Sequence, residues 1–184
     1  MKKNKVSEMR TGLVHAYFGE GKGKSTAALG LGLRCAGSGM TVFVIQFLKS
    51  SQSGELEAVK RLEPAFKIFR FDRMRREIWP STAQQMEESR KDSANAMQFA
   101  RKVMSAHQCD VLILDEVLTA IAQRIVELNE VLDLIEKKPT DIEIVVTGKT
   151  LPDAIYRRSN YVTEMRLWKH PRQDGIEARE GIEY

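Results

Sequence analysis

Gly19-Glu20-Gly21-Lys22-Gly23-Lys24-Ser25-Thr26 is the stretch that decides the fold of this chain. Before it runs Leu13-Val14-His15-Ala16-Tyr17-Phe18, which reads as a buried strand. After it, Ala27-Ala28-Leu29-Gly30-Leu31-Gly32-Leu33 reads as a helix. Strand, glycine-rich turn, then lysine and hydroxyl at a helix start is the context that a phosphate-binding loop requires. Glycines let backbone N–H groups converge on an anion without side-chain clashes, and the helix N-terminus adds partial positive charge. The spacing assigns Gly19 to Thr26 to a nucleotide's phosphates, with Lys24 as the catalytic point charge and the Ser25 hydroxyl as a magnesium ligand. Phe18 stands where the usual pattern has its first glycine, so the turn begins one residue late. A plain surface turn rich in glycine and lysine is the competing interpretation, and the flanks favour phosphate.

The 184 residues fit one domain, and an apolar share of 42% suffices for one sizeable core. A formal charge of +4 is too weak to demand nucleic acid and suits small polyanions. Cys35 and Cys109 have neither metal-type spacing nor the number for a disulfide framework, which points to a reduced, cytoplasmic setting. No signal-peptide core follows Met1-Lys2-Lys3-Asn4-Lys5, and the apolar runs are strand-sized, so no membrane span is expected.

Residues 1–12 are polar and basic without periodicity and read as an N-terminal arm, with 13–184 as a single domain. Lys24 to Ala36 is apolar or small nearly all round. Gly30 and Gly32 each cost a helix about 1 kcal/mol relative to alanine, so close approach of helix to sheet is expected at both. Thr41 to Phe47 is a continuous apolar strand. Its end carries Gln46 and Lys49 to the edge where open α/β sheets bind ligands, either as contacts or as ordinary solvated side chains. Glu55 to Leu62 suggests a short helix and Lys67 to Phe71 a strand. Asp72 to Pro80 mixes positive charge with Trp79, as a solvated loop or a lid over a flat or anionic ligand. Ser81 or Thr82 caps a helix reaching Ala106, whose Ala96, Phe99, Ala100 and Val103 form a core stripe and whose first half is expected to be solvated.

Val111-Leu112-Ile113-Leu114-Asp115-Glu116 is the second informative run. An apolar strand ending in carboxylates is the Walker B partner of a phosphate loop, holding the magnesium that the loop hydroxyl also touches. Leu128, Val131, Leu132 and Ile135 mark a further helix, Glu143 to Gly148 a buried strand, Pro152 to Arg158 a helix, and Tyr161 to Leu167 an edge or final strand. Repeated strand–helix alternation gives an α/β fold: a mostly parallel sheet flanked by helices, a RecA-like P-loop NTPase core.

Read together, these motifs resemble the P-loop family of ATP:corrinoid adenosyltransferases, which act on cob(I)alamin or cob(I)yrinic acid a,c-diamide. The likeness lies in TGLVHAYFGEGKGKSTAALGLGLRCAGSGM, VFVIQFLKS, VLILDEVLTA, IVVTGKTLPDAI and YVTEMRLWKHPRQDGIEAREGIEY. The late-starting loop is the family's own form. The C-terminal string is the most specific part, being foreign to general nucleotide binding. The resemblance implies that cobalt(I) of a corrinoid attacks the ribose 5′ carbon of ATP and releases tripolyphosphate, with ATP reversed in the loop. It implies magnesium on Ser25 and Glu116 with Asp115 behind or in place of Glu116, and Trp79 pressed on the corrinoid's lower face. It further implies a homodimer whose N-terminal arm covers the corrinoid site, and a flavoprotein reductant. Glu77, Ser50 and Asn160 depart from the family, which places an aromatic, a glycine and an aspartate there. The alternatives are an ATPase or kinase cleaving the terminal phosphate, a nucleic-acid-binding RecA-like module, and a corrinoid chaperone. The three histidines are scattered, and a metal nucleophile without a proton needs no general base.

Overall fold

Six short strands are laid down in the order that the alternation predicts: β1 (Val14–Phe18), β2 (Val42–Gln46), β3 (Phe66–Arg70), β4 (Val111–Asp115), β5 (Glu143–Gly148) and β6 (Tyr161–Glu164). In the sheet they stand β3-β2-β4-β5-β1-β6, and every pairing is parallel. The computed structural model describes residues 10–49, 53–72 and 82–183. Between strands lie α1 (Lys24–Gly37), α2 (Gly54–Lys60), α3 (Ala83–Ser105), α4 (Val117–Ala122), α5 (Leu128–Glu136) and α6 (Asp153–Tyr156).

Side chains of a strand alternate between sheet faces, so parity along each strand divides the core in two. Ile45, Leu112, Leu114, Ile144 and Val146 face a cluster with α3 and α5, built on Ala96, Ala100, Val103, Val131 and Leu134. Val42, Val44, Val111, Ile113 and Val145 face a second cluster with Ala28 of α1. The same parity carries Arg70, Gln46, Asp115 and Thr147 onto the α1 face at the carboxyl ends of their strands. Register aligns three of them in one row, Gln46 pairing with Arg70 on β3 and with Asp115 on β4. Each buried Leu, Ile or Val contributes roughly 1.5–3 kcal/mol. β4 is buried on both faces, so a one-residue slip would exchange its two apolar sets and turn Asp115 from its polar partners into the apolar α3/α5 face.

Local signals fix the helices. Thr82 caps α3 through a reciprocal box in which its hydroxyl accepts from the Gln85 N–H and the Gln85 side chain accepts from the Thr82 N–H. The first half of α3, expected to be solvated, nonetheless buries Ser89 and Ser93. Phe99 packs tilted against Phe69 and Phe71 at centroid distances of 4.6 and 5.4 Å. Helix α6 is shorter than expected, with Pro152 outside it as its N-cap residue. β6 forms the sheet edge, ending at Glu164 with all four side chains exposed. Asn160 takes a structural role before it, its Oδ1 accepting the Val14 N–H at 2.9 Å. At the other end of the chain, Gly12 N–H donates to Thr140 O at 2.7 Å and Arg10 reaches Asp110 O at 2.6 Å. These last residues of the arm are therefore tied to the domain, while residues 1–9 lie outside the described part.

The two helical glycines part company. A Cβ on Gly32 would sit 3.0 Å from the Phe66 ring and 3.1 Å from Val42, the close approach that the sequence suggested. A Cβ on Gly30 would meet nothing within 4 Å, so the expectation fails there: this glycine faces outward. Gly32→Leu is expected to destabilise the protein by about 1–3 kcal/mol through overpacking. Gly30→Ala is expected to stabilise it by about 0.5–1 kcal/mol by removing helix-interior flexibility. Urea denaturation of the two variants measures both.

Candidate functional site

The loop between β1 and α1 is held from behind by the segment after β6. Gly19 has φ +115°, and a Cβ there would lie 2.4 Å from Met165 O, so both conformation and space require glycine. Gly19 N–H donates to Lys149 O at 2.9 Å and Gly21 N–H to Met165 O at 2.7 Å. Those two donors anchor the loop to the sheet edge and leave Lys22 to Thr26, at the start of α1, as the part that can face an anion. Glu20 points away to an exposed ion pair with Lys149 at 3.5 Å. Gly23 also has a left-handed φ of +113°, which turns the chain into α1. Lys24 Nζ donates to Gly21 O at 2.8 Å, folding its ammonium over the loop.

Beneath the first turn of α1 lies Asp115, 1% exposed. Its Oδ1 accepts from Ser25 Oγ at 2.8 Å and Thr147 Oγ1 at 2.7 Å. Its Oδ2 accepts from Lys49 Nζ at 2.6 Å and Gln46 Nε2 at 3.2 Å. Burial works to raise the carboxyl's pKa, but the Lys49 ammonium and the bonds from Lys49, Thr147 and Ser25 hold it below the usual carboxylate range. Behind it, Gln46 Oε1 accepts from Arg70 Nε at 2.6 Å, and Arg70 reaches Ser53 Oγ at 3.0 Å. One polar chain thus runs from the β3 end to the phosphate loop.

Glu116 follows in a left-handed conformation, φ 65°, as the N-cap residue of α4. For a non-glycine residue that costs roughly 1–3 kcal/mol, a strain that concentrates at functional sites. Its N–H donates to Thr147 Oγ1 at 2.9 Å, and its carboxylate accepts from Thr119 Oγ1 at 2.6 Å. Thr147 therefore joins both acidic residues, donating to one and accepting from the backbone of the other.

A cavity of about 410 Å³ opens above this floor, lined by Lys22, Gly23, Lys24, Ser25, Thr26, Lys49, Glu55 and Glu116, with Gly181, Ile182 and Glu183 of the tail opposite. Lys22 Nζ fastens the tail by donating to Ile182 O at 2.9 Å. The structure thus gathers Lys24, Ser25, Asp115 and Glu116 in one place; Trp79 lies outside the described residues. Gln46 is buried in the carboxylate's shell, and Lys49, a quarter exposed, joins that shell while also lining the cavity. From the sequence Arg70 reads only as part of a strand, and Thr147 only as the polar end of a strand that reaches the ligand edge, with no partner assigned to either. The signal that could have found them is strand parity, since each sits at a strand's carboxyl end in phase with Asp115.

Ser25, Asp115 and Glu116 offer a hydroxyl and carboxylates, hard oxygen donors of the kind that magnesium takes, so this donor set fits that ion. Among the described residues no group of three His, Cys, Asp or Glu converges, so coordination would be completed by phosphate oxygens or water. Among the described residues neither cysteine nor any histidine lines the cavity. Burial pushes the Cys109 thiol up to about 12 and raises Cys35 as well. His15, half a strand away, is tied to Glu143 and Tyr17. No described helix is long and apolar enough to cross a membrane.

The family model described as "ATP:corrinoid adenosyltransferase BtuR/CobO/CobP" matches residues 10–184. A corrinoid adenosyltransferase of Pseudomonas aeruginosa is 30% identical over 182 residues, 98% of this chain and 88% of that protein. That of Escherichia coli K12 is 28% identical over 178 residues, 94% of this chain and 86% of that protein. Among solved structures, EssC (ATPases 2 and 3) from Geobacillus thermodenitrificans aligns with a TM-score of 0.50 at 13% identity, over 92% of this chain and 35% of that one. That likeness concerns the fold alone.

Thr147→Val should cost about 1–3 kcal/mol, because it leaves the Glu116 N–H without its acceptor and takes a donor from Asp115. Thr147→Ser, which keeps the hydroxyl, should recover most of that loss. Chemical denaturation of the pair checks both.

Proposed function

The chain belongs to the ATP:corrinoid adenosyltransferase family, and on that premise we propose that it moves the 5′-deoxyadenosyl group of ATP to cobalt(I) of a corrinoid and releases tripolyphosphate. The observation that carries this is the family match from residue 10 to residue 184, which takes in the phosphate loop, the acidic strand end and the C-terminal string together.

Bond changes set what the residues must do. The cobalt(I) electron pair forms the cobalt–carbon bond as the C5′–O bond breaks, and that bond's pair goes to the α-phosphate oxygen. Cobalt leaves as cobalt(III), and no proton moves. Negative charge grows on the departing tripolyphosphate, so catalysis calls for preorganised positive charge on the phosphate tail. Lys22 and Lys24 and the N–H groups at the start of α1 supply it. Because all three phosphates depart as one unit, a grip along the whole tail acts on the leaving group. Among the described residues no histidine lines the pocket, which agrees with a reaction in which the metal substrate attacks. Magnesium, held by Ser25 with Asp115 or Glu116, would neutralise further phosphate charge. Lys24 is the residue assigned to catalysis.

Finer assignments rest on the family likeness: the arm as a cover for the corrinoid site, a homodimer, a cytoplasmic setting, a flavoprotein electron donor, and Trp79 against the corrinoid's lower face. The weak net charge of +4 favours a small polyanion over nucleic acid.

Protein, MgATP and chemically reduced cobalamin should give adenosylcobalamin and tripolyphosphate, resolved by absorbance and ion chromatography. ADP or orthophosphate as product would reassign the protein to terminal-phosphate cleavage. Lys24→Ala should lower turnover by at least about 10²-fold, the scale of losing one preorganised charge contact, with the melting temperature unchanged. Trp79→Ala should slow reaction with cobalt(II) delivered through a reductase more than reaction with preformed cobalt(I). Equal losses on the two routes would separate Trp79 from the axial ligand.

A further inference from the structure

Lys49 has a part that neither the phosphate loop nor the acidic strand end assigns. Its Nζ lies 2.6 Å from Asp115 Oδ2 and 3.1 Å from Ser25 Oγ, bridging a carboxylate and a hydroxyl proposed above as magnesium donors. The backbone is bent to deliver it: Leu48, just before it, has φ 57°, a left-handed conformation that a branched side chain adopts only at a cost. Three-quarters of the Lys49 side chain is covered and the Asp115 side chain is 1% exposed, so this is a desolvated pair. Stripping one partner from such a pair leaves a buried, uncompensated charge. Lysine suits a replaceable partner, being a compact point charge on a flexible stem with three rotatable donors.

We propose that Lys49 is a built-in stand-in for the metal: without nucleotide its ammonium fills the cation position between Ser25 and Asp115, and it leaves that position when magnesium arrives with ATP. This rests on the metal reading given above. A divalent cation and an ammonium repel one another at one carboxylate, so metal entry requires a new anionic partner for Lys49. The cavity that Lys49 lines is the one that the loop offers to phosphates. ATP therefore supplies that partner, and metal and nucleotide bind as a linked pair. Metal without nucleotide binds weakly, because Lys49 must then give up its bond to a buried carboxylate for the solvent of the cavity with no phosphate to receive it. Its role toward the phosphates is that of a positioning residue which changes partner, from Asp115 to the tripolyphosphate tail.

The test is metal binding by the full-length protein without corrinoid, with Mn²⁺ as the probe, read by electron paramagnetic resonance. Nucleotide-free wild type should bind Mn²⁺ weakly, and added ATP should bring it into the site. Lys49→Met should bind Mn²⁺ without nucleotide at least about tenfold more tightly than wild type, since the buried carboxylate then lacks its cation. Lys49→Arg, which retains a charge, should behave as wild type. Mg²⁺ alone should raise the melting temperature of Lys49→Met and leave that of wild type where it was. A lysine with only a structural role would lower the melting temperature on substitution and give neither tighter Mn²⁺ binding nor rescue by Mg²⁺, and that result overturns the proposal. Should Lys49→Met fail to fold, wild type decides alone: stabilisation by Mg²⁺ without nucleotide equal to that by MgATP overturns it, and stabilisation only by the pair supports it. Wild type that takes up no Mn²⁺ even with ATP overturns the metal reading as well, a result distinct from any loss of adenosyl transfer.

Discussion

A carboxylate buried to 1% exposure stays ionised only if donors replace the water that it has lost, and Asp115 has four of them. They come from α1, β5, the end of β2 and the residue group beyond it, so one side chain ties together elements far apart in the chain. Asp115 steadies the loop from below by accepting a hydrogen bond from the Ser25 hydroxyl. Thr147 supports the left-handed Glu116 by accepting from its N–H. The pocket is built outward from that buried charge.

Parity in the sheet is what allows such a centre. On β2 and β4 aliphatic side chains fill the α1 face up to the last residue, and polar ones take over at the row where the sheet meets the loop. Arg70, Gln46 and Asp115 stand side by side there because the parallel register aligns the ends of β3, β2 and β4. The hydrophobic energy that fixes the register therefore also positions the polar row, which contributes little net stability of its own. Packing sets the geometry, and the polar chain gives it a function.

For transfer of an adenosyl group, this arrangement concentrates effort on the leaving group. On the proposed reading, cations and N–H groups converge on the tripolyphosphate tail, and among the described residues the cavity lining holds no histidine or cysteine. The tail from Gly181 to Glu183 closes one side of the cavity through Lys22, a partly exposed contact that solvent screening weakens. A wall held that lightly can give way to a substrate.

Much was legible beforehand because its causes are local. The glycine spacing and the lysine–hydroxyl pair marked the loop, unbroken apolar runs marked buried parallel strands, and Thr82 with Gln85 marked a helix start. Gly32 was readable as a packing glycine; Gly30 has the same local sequence signal and packs against nothing. The family likeness also came from order and wording alone. Tertiary structure alone decided which groups meet. Ser25 and Asp115 are 90 residues apart, Lys49 and Asp115 66, and Thr147 and Asp115 32. Such partners are chosen by strand order and register, which arise from burial summed over the whole sheet. No short stretch of sequence contains that sum, so Lys49 could be read only as a ligand contact or a solvated lysine at the sheet's edge until the fold set it against a buried carboxylate.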